Sequence, residues 1–359
     1  MISQEMIDAA ADALANEPLL FGESVSLFEE EFARFCGTDY AVSVNSGTDA
    51  LIFTLMAAGV EKKHVLTTPS SYIATANSAV HAKAKPVFCD IDKKTNNISP
   101  KEIAKAVKKD RKIAAIIPVH LHGYPAAMDE INGIAEKRGL FVLEDACQAH
   151  GALYSGKRTG SLGNTGAFSF NPVKNMTIGG DGGMVTTNDE KIAKKVRMLA
   201  DSGRENPYTH EHEIVGFTSR ISSVSAAIGR VQLRHLDSWN AHRGEAAKKY
   251  TAALAGIEGL ILPEGELEDV RPVFNKYAIK SEKRDGIRSA LYAAGIESDS
   301  HYPIPIHLQP PYRKMGHKKG EFPNAERFAD TTLSLPMAAD MTEEEIGTVC
   351  RTVREFLKG

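Results

Sequence analysis

Residues 113–152 read IAAIIPVHLHGYPAAMDEINGIAEKRGLFVLEDACQAHGA. The first part, IAAIIPVHLHG, is a fully apolar strand that runs out into a polar loop. MDEINGIAEKRG reads as a helix, and LFVLEDACQAHGA is a second apolar strand with a polar exit. A strand with no polar alternation is buried on both faces. Strand, helix and strand in that order point to a parallel sheet covered by helices above and below. In such a sheet ligands bind outside the carboxyl ends of the strands, so the polar exits are the places to look.

Working outward, the same alternation extends from about Tyr40 to Ala149. YAVSVNSGTDALIFTLMAAGV reads as strand, tight turn and helix, and KPVFCDID as a short apolar strand. Before it, Val25, Phe28, Phe32 and Phe35 have helical spacing that ends near Gly37. After it, AFSFNPVKNMTIGGDGGMVTT (Ala167–Thr187) reads as two strands around an irregular turn and a glycine cluster. A helix then ends near MLADSG, and RENPYTHEHEIVGFTSR is irregular. SSVSAAIGRVQLRHLDSWNAHRGEAAKKYTAALAG is one long helix or two joined ones. From about Leu260 the pattern changes: VFNKYAIKS is a strand, RDGIRSALYAAGI a helix and EEEIGTVCRTVREFL a final helix. The expectation is an α/β protein. A mostly parallel central sheet with helices on both faces occupies residues 1–240, and a smaller α+β domain residues 241–359.

The 359 residues carry 43 Lys and Arg against 46 Asp and Glu, a balance that offers no footprint for nucleic acid or an anionic membrane. Four scattered cysteines form no CxxC pair, which argues against a disulfide framework or zinc knuckle and suits a reducing compartment. The histidine-bearing loops YTHEHE and HYPIPIHLQPPY lack metal-ligand helix spacing, so no metal is expected. No run approaches the roughly 18 apolar residues of a membrane span. The start, MISQEMIDAAADALANE, is an acidic amphipathic helix rather than a signal peptide, so a soluble cytoplasmic protein is expected.

Four features sit at strand ends or turns. In NSGTDAL, Gly47 and Thr48 fall where a helix begins, either as an ordinary cap or as a phosphate cradle of free N–H groups and helix dipole. Asp145 ends an apolar strand, as hydrogen-bonded structure or as the partner of a cation. Tyr72 in PSSYIAT packs at a rim or stacks on a flat ring. Lys174 sits in a loop whose GGDGG lets the backbone approach a ligand. Alone it reads as a solvated lysine, but in a pocket it is an amine nucleophile. Together the four suit one cofactor. Pyridoxal phosphate needs a lysine, an acid opposite its ring nitrogen, a phosphate cradle and an aromatic on its face. Neither GxxxxGK[ST] nor a strand–GxGxxG–helix is present to compete.

At these residues the chain resembles the DegT/DnrJ/EryC1/StrS sugar aminotransferases. The motifs NSGTDAL, PSSYIATANSAV, PVHLHGYPAAMDEI, EDACQAHGA, GNTGAFSFNPVKNMTIGGDGGMVTT, SAAIGRVQL and HYPIPIHLQPPY follow in order along nearly the whole chain. The resemblance implies an aspartate-aminotransferase-like fold of type I. It implies that Lys174 holds the cofactor covalently and later carries the proton. Asp145 then pairs with the pyridinium nitrogen and Gln148 contacts the ring's phenolic oxygen. Gly47, Thr48 and Ser169 hold the phosphate, and Tyr72 stacks. Relatives work as dimers in which an asparagine of an N-x-R motif reaches the partner's phosphate. Here GFTSRI puts Thr218, shorter but still a hydroxyl donor, in its place, with Arg220 as the arginine. Dehydratase relatives carry histidine in place of the lysine, so Lys174 implies transamination, with pyridoxamine phosphate between the two halves. The implied donor is glutamate and the implied acceptor a nucleotide-linked keto-sugar, 3-keto rather than 4-keto. Arg220, His301, Tyr302 and His307 are its candidate contacts. A cyclitol ketone aminotransferase is the alternative substrate class. A ligand-sensing regulator is the alternative outside enzymes, and it predicts a DNA-binding helix-turn-helix or basic patch that the sequence lacks.

Overall fold

The computed structural model describes residues 3–358. The chain begins with helices α1 (Gln4–Asn16) and α2 (Glu23–Cys36), and α2 ends where Gly37 turns left-handed with φ 78°. There follow β1 (Tyr40–Val44), α3 (Gly47–Ala57), β2 (His64–Thr67), α4 (Ala74–His81), β3 (Lys85–Phe88), α5 (Pro100–Lys109), β4 (Ile113–Ile116), α6 (Met128–Glu136) and β5 (Phe141–Asp145). Two-residue strands β6 (Leu153–Tyr154) and β7 (Lys157–Arg158) precede the long pair β8 (Thr165–Ser169) and β9 (Gly183–Thr187). Then come α7 (Glu190–Ala200), α8 (Ser223–Leu254), β10 (Val270–Arg271), β11 (Tyr277–Lys280), α9 (Arg284–Ala293), α10 (Pro310–Lys314), α11 (Pro323–Thr331), β12 (Thr332–Leu335) and α12 (Glu343–Lys358).

The large sheet has seven strands in the order β1-β9-β8-β5-β4-β2-β3. From β8 through β3 the pairs are parallel, while β9 pairs antiparallel with both β8 and β1. The expected mostly parallel sheet is therefore present, with an antiparallel edge built from the glycine-rich hairpin. One face packs α3, α7 and the apolar residues Val42, Val44, Leu143 and Val185. The other packs α2 and the start of α8 on Phe168 and Phe170, with α5 and α6 further along on Leu66, Ile116 and Val142. α3 is apolar around nearly its whole circumference because it lies buried between the sheet and α4 and α7.

The segment that reads as one helix or two is a single helix of 32 residues. Its first half (Ala226, Leu233, Leu236) belongs to the large core. Its second half (Ala246, Ala247, Tyr250, Leu254) packs with β11, β12, α9 and α12 in a separate one. We propose the domain boundary at about residue 240, between these two packing patches. The small unit's sheet is the antiparallel pair β11–β12, in which Tyr277 faces Leu335. No helix among the described residues is long and apolar enough to cross a membrane.

Candidate functional site

β5 ends in two acids, and strand alternation turns them to opposite faces. Glu144 is fully buried. It accepts the N–H groups of Gly160, Leu162 and Gly163 at 2.7–2.8 Å and meets His120 Nε2 at 2.9 Å. His120 Nδ1 accepts the Ala126 N–H at 3.0 Å, so its proton sits on Nε2 and donates to Glu144. This network fixes the strand end. Asp145, on the other face, is 5% exposed. Its Oδ2 accepts from Thr75 Oγ1 at 2.7 Å and its Oδ1 from the Cys147 N–H at 3.3 Å. Both partners donate to the carboxylate and aim it. Burial and the Asp145 charge hold the Cys147 thiol well above its ordinary pKa, so it stays protonated.

α3 points its N-terminus at the same end of the sheet. Ser46 caps it, its hydroxyl accepting the Asp49 N–H at 3.0 Å. The Gly47 and Thr48 N–H groups have no acceptor among the described residues. Gly47 is required by packing: a Cβ there would lie 2.7 Å from Ser169 Cβ and 2.9 Å from Cys147 Sγ. The Ser219 hydroxyl donates to Asp49 Oδ2 at 2.7 Å and accepts the Asn45 N–H at 3.0 Å, which pins residues 217–220 beside this helix end.

Lys174 is half-buried in the β8–β9 loop, its N–H bonded to the Asn171 carbonyl at 2.9 Å. The next residue, Asn175, anchors the loop by donating to Asn240 Oδ1 at 2.8 Å and the Val273 carbonyl at 3.0 Å. Lys174 lines a cavity of about 950 Å³ with Trp239, Arg243 and Asp340, in the cleft between the two units.

The remaining groups form one bonded chain. The Gln148 Oε1 accepts the His122 N–H at 2.9 Å, and its Nε2 donates to the Tyr302 hydroxyl at 3.4 Å. Tyr302 packs on Tyr72, ring centroids 5.8 Å apart, and Tyr72 remains 56% exposed. His122 takes a left-handed backbone, φ 58°, and its Nε2 donates to the His301 carbonyl at 3.2 Å. His301 Nδ1 lies 3.0 Å from Ser334 Oγ. Burial, then the neighbouring His301, pushes the His122 pKa down to about 3, so the ring is neutral. The His301 pKa is lowered too, by burial and then by Lys276.

The sequence-expected residues thus fall into groups. Gln148, Tyr72, Tyr302 and His301 are linked through contacts, and the Asp145 charge acts on the Tyr302 hydroxyl. Gly47, Thr48 and Ser169 lie together at the α3 N-terminus. His307 does not join them: it is fully buried, with Nε2 3.1 Å from Glu326 Oε1 and its ring edge-on to Phe322 at 4.8 Å. Its place is structural, in the packing beneath the loop. Arg220 pairs with Asp201 at 2.7 Å and lies 5.5 Å over the Phe21 ring, and Thr218 Oγ1 sits 3.3 Å from Ser202 Oγ. Neither touches His301 or Tyr302 within one chain. Sequence reasoning passed over Thr75, His122 and Ser219. Thr75 carries no signal beyond lying in PSSYIAT, whereas His122 lies in the polar exit HLHG where a site residue was to be sought.

Known proteins match this chain along nearly its whole length. The family model described as the DegT/DnrJ/EryC1/StrS aminotransferase family matches residues 1–354. The dTDP-3-amino-3,4,6-trideoxy-alpha-D-glucose transaminase of Streptomyces venezuelae is 40% identical over 97% of this chain and 91% of its own. The UDP-N-acetyl-3-dehydro-alpha-D-glucosamine 3-aminotransferase of Acidithiobacillus ferrooxidans is 36% identical over 100% of this chain and 95% of its own. Among solved structures, S. venezuelae DesV in complex with a ketimine intermediate superposes with a TM-score of 0.95 at 39% identity, covering 99% of this chain and 95% of that one.

Proposed function

The chain belongs to the DegT/DnrJ/EryC1/StrS aminotransferase family, and from that premise we propose that it moves an amino group from glutamate to a nucleotide-linked 3-keto-sugar, using pyridoxal phosphate, in amino-sugar biosynthesis. The observation that carries the reading is the position of Cys147, whose N–H bonds Asp145, whose Sγ lies against Gly47 of the anion cradle, and whose thiol feels the Lys174 charge. The residues present fit the cofactor. The two free N–H groups at Gly47 and Thr48, with the Ser169 hydroxyl beside them, suit its phosphate. Asp145, aimed by two donors, suits its ring nitrogen, and the Gln148 amide its phenolic oxygen. Tyr72 offers a face for the ring. When bound, pyridoxal phosphate supplies an aldehyde that takes up the amine and a ring that accepts the electron pair left on the substrate carbon.

The chain's own residues supply the rest. Asp145 would keep a proton on the ring nitrogen, because a buried carboxylate beside it would favour the cation. The Lys174 Nζ would anchor the cofactor and, when free, would be the base that carries a proton between the donor carbon and the cofactor carbon. Tyr302 and His301 wall off the sugar side, and neutral His122 orients both through Gln148 and the His301 carbonyl. The two relatives named above act at carbon 3 of their sugars, which supports the 3-keto choice.

The protein works as a homodimer in the cytoplasm on this reading. Support for the dimer comes from exposed apolar side chains Leu19, Leu20, Phe21, Val215 and Phe217. Residues 18–22 and 217–223 are tied together, the Ser223 N–H donating to the Leu19 carbonyl at 3.0 Å. A fully active monomer in solution would contradict the dimer. For the reaction, glutamate should discharge the visible-violet absorbance of the holoenzyme, and a nucleotide 3-keto-sugar should restore it. Restoration by a cyclitol ketone and by no keto-sugar nucleotide would overturn the substrate class.

A further inference from the structure

Lys276 stands in VFNKYAIKS, at the entry to β11 in the small unit. Its backbone N–H meets the His122 carbonyl at 3.4 Å, and the Val273 N–H meets the Gly123 carbonyl at 3.1 Å. These two contacts bind residues 273–276 directly to the loop that positions Gln148. Lys276 lines a cavity of about 590 Å³ with His301 and Ser334, and Pro336 and Met337 form part of the same wall. The chain continues through Ala338–Met341 along the cavity of Lys174 and Arg243. The two cavities are therefore neighbouring parts of the cleft between the units.

The Lys276 side chain is half-buried, and its ammonium has no hydrogen-bond or ion-pair partner among the described residues. The carboxylates of its cavity offset it only in part: Asp299 favours the charged ammonium, less than burial, Lys174 and Arg243 oppose it, and is itself paired with Arg288 at 3.6 Å, while Glu297 is outside ion-pair distance. Its other close neighbours add to the imbalance. Burial lowers its pKa first, and the charges of Lys174 and then Arg243 lower it further. His122 and His301, both neutral, donate no charge of either sign. A desolvated cation among cations is unfavourable unless an anion arrives to pair it.

We propose that Lys276 is the binding residue for the α-carboxylate of the amino donor. The argument rests on the transaminase reading above and adds a residue to it. The donor's amine must take the place of Lys174 Nζ, and its carboxylate carbon lies only two bonds, about 2.5 Å, from that nitrogen. The carboxylate is thereby confined to the cleft immediately around Lys174, where Lys276 and Arg243 are the small-unit cations without an ion pair; Arg243 is held by its Nη1 bond to the Met337 carbonyl at 2.8 Å, whereas the Lys276 ammonium has no bond among the described residues. Pairing there also selects for an amino acid over a simple amine, since an uncharged donor leaves the ammonium unpaired. Closing the ion pair draws the small unit against residues 122–123, which tightens the site around the donor.

The test uses holoenzyme with Lys276→Met and Lys276→Arg. Glutarate, which has the carboxylates but no amine, is titrated by calorimetry. Uridine and thymidine diphosphates are titrated separately, and the concentration of glutamate that half-saturates discharge of the visible band is measured. Lys276→Met should weaken glutarate and glutamate about 10- to 100-fold, the range of a charge-assisted hydrogen bond. It should leave the holoenzyme's absorbance and nucleoside diphosphate binding unchanged, and Lys276→Arg should recover most of the loss. Equal glutarate and glutamate affinity in Lys276→Met overturns the proposal. So does weakened nucleoside diphosphate binding with intact glutarate binding, which would assign the cation to the sugar nucleotide. A wild-type protein that takes up no cofactor would instead overturn the transaminase reading itself.

Discussion

Asp145 illustrates how much one side chain's surroundings decide. A carboxylate at 5% exposure is costly to ionise unless donors reach it, and here Thr75 Oγ1 and the Cys147 N–H do so. The remaining acceptor capacity is free for the cofactor's ring nitrogen. Asp145→Asn keeps the shape and the Thr75 contact but cannot hold a proton on that nitrogen. It should fold with near-wild-type stability and lose about 10³-fold or more in the rate at which glutamate discharges the visible band, read by stopped-flow absorbance. At this scale the sequence was most legible where a residue ended a strand or began a helix, as Asp145 and Gly47 do. It was least legible at Thr75 and Lys276. Thr75 acts through a bond to Asp145, 70 residues on, and Lys276 feels the charge of Lys174 from more than 100 residues away in the chain, and local pattern carries no trace of such pairs.

Among elements, β5, β8 and the N-terminus of α3 form the working unit. Their meeting depends on Gly47, which leaves no room for a side chain against Ser169 and Cys147. Gly47→Ala must push α3 away from β8. A loss of about 1–3 kcal/mol in urea unfolding is expected, together with weaker retention of cofactor on dialysis. A variant as stable as wild type that keeps its cofactor would show that the cradle is looser than described. The parallel strands and α3 were readable because their apolar runs are long and bounded by turns. The pairing of β8 with β9 as an antiparallel edge was half-readable, as two close strands around glycines. The short β6–β7 hairpin and β10–β6 pairing were not, since two-residue strands have no periodicity to detect.

At the scale of the whole molecule, the fold keeps two buried histidines, His122 and His150, neutral. Burial first, then the neighbouring His301 for His122 and the Lys174 charge for His150, lowers each pKa to about 3. Both values lie below those of the unfolded chain, near 6.5. Between about pH 3 and 6.5 the unfolded state therefore binds protons that the folded state refuses. Stability is full above pH 6.5 and declines as pH falls. Unfolding free energy from urea titrations should drop by about 2–4 kcal/mol between pH 7 and pH 5. A flat profile over that window would mean that one or both rings find a way to be protonated inside the fold. Globally, the two-unit organisation was visible as the change of pattern near Leu260. The unbroken α8 that joins the units was not separable from two shorter helices, because its exposed middle carries no packing signal.

Lys174 is the residue proposed to hold the cofactor. Holoenzyme reduced with borohydride, digested and mapped by mass spectrometry should carry the cofactor adduct on the peptide containing Lys174, and Lys174→Ala should carry none. An adduct on any other lysine, Lys276 included, or a trapped adduct in Lys174→Ala, would contradict it.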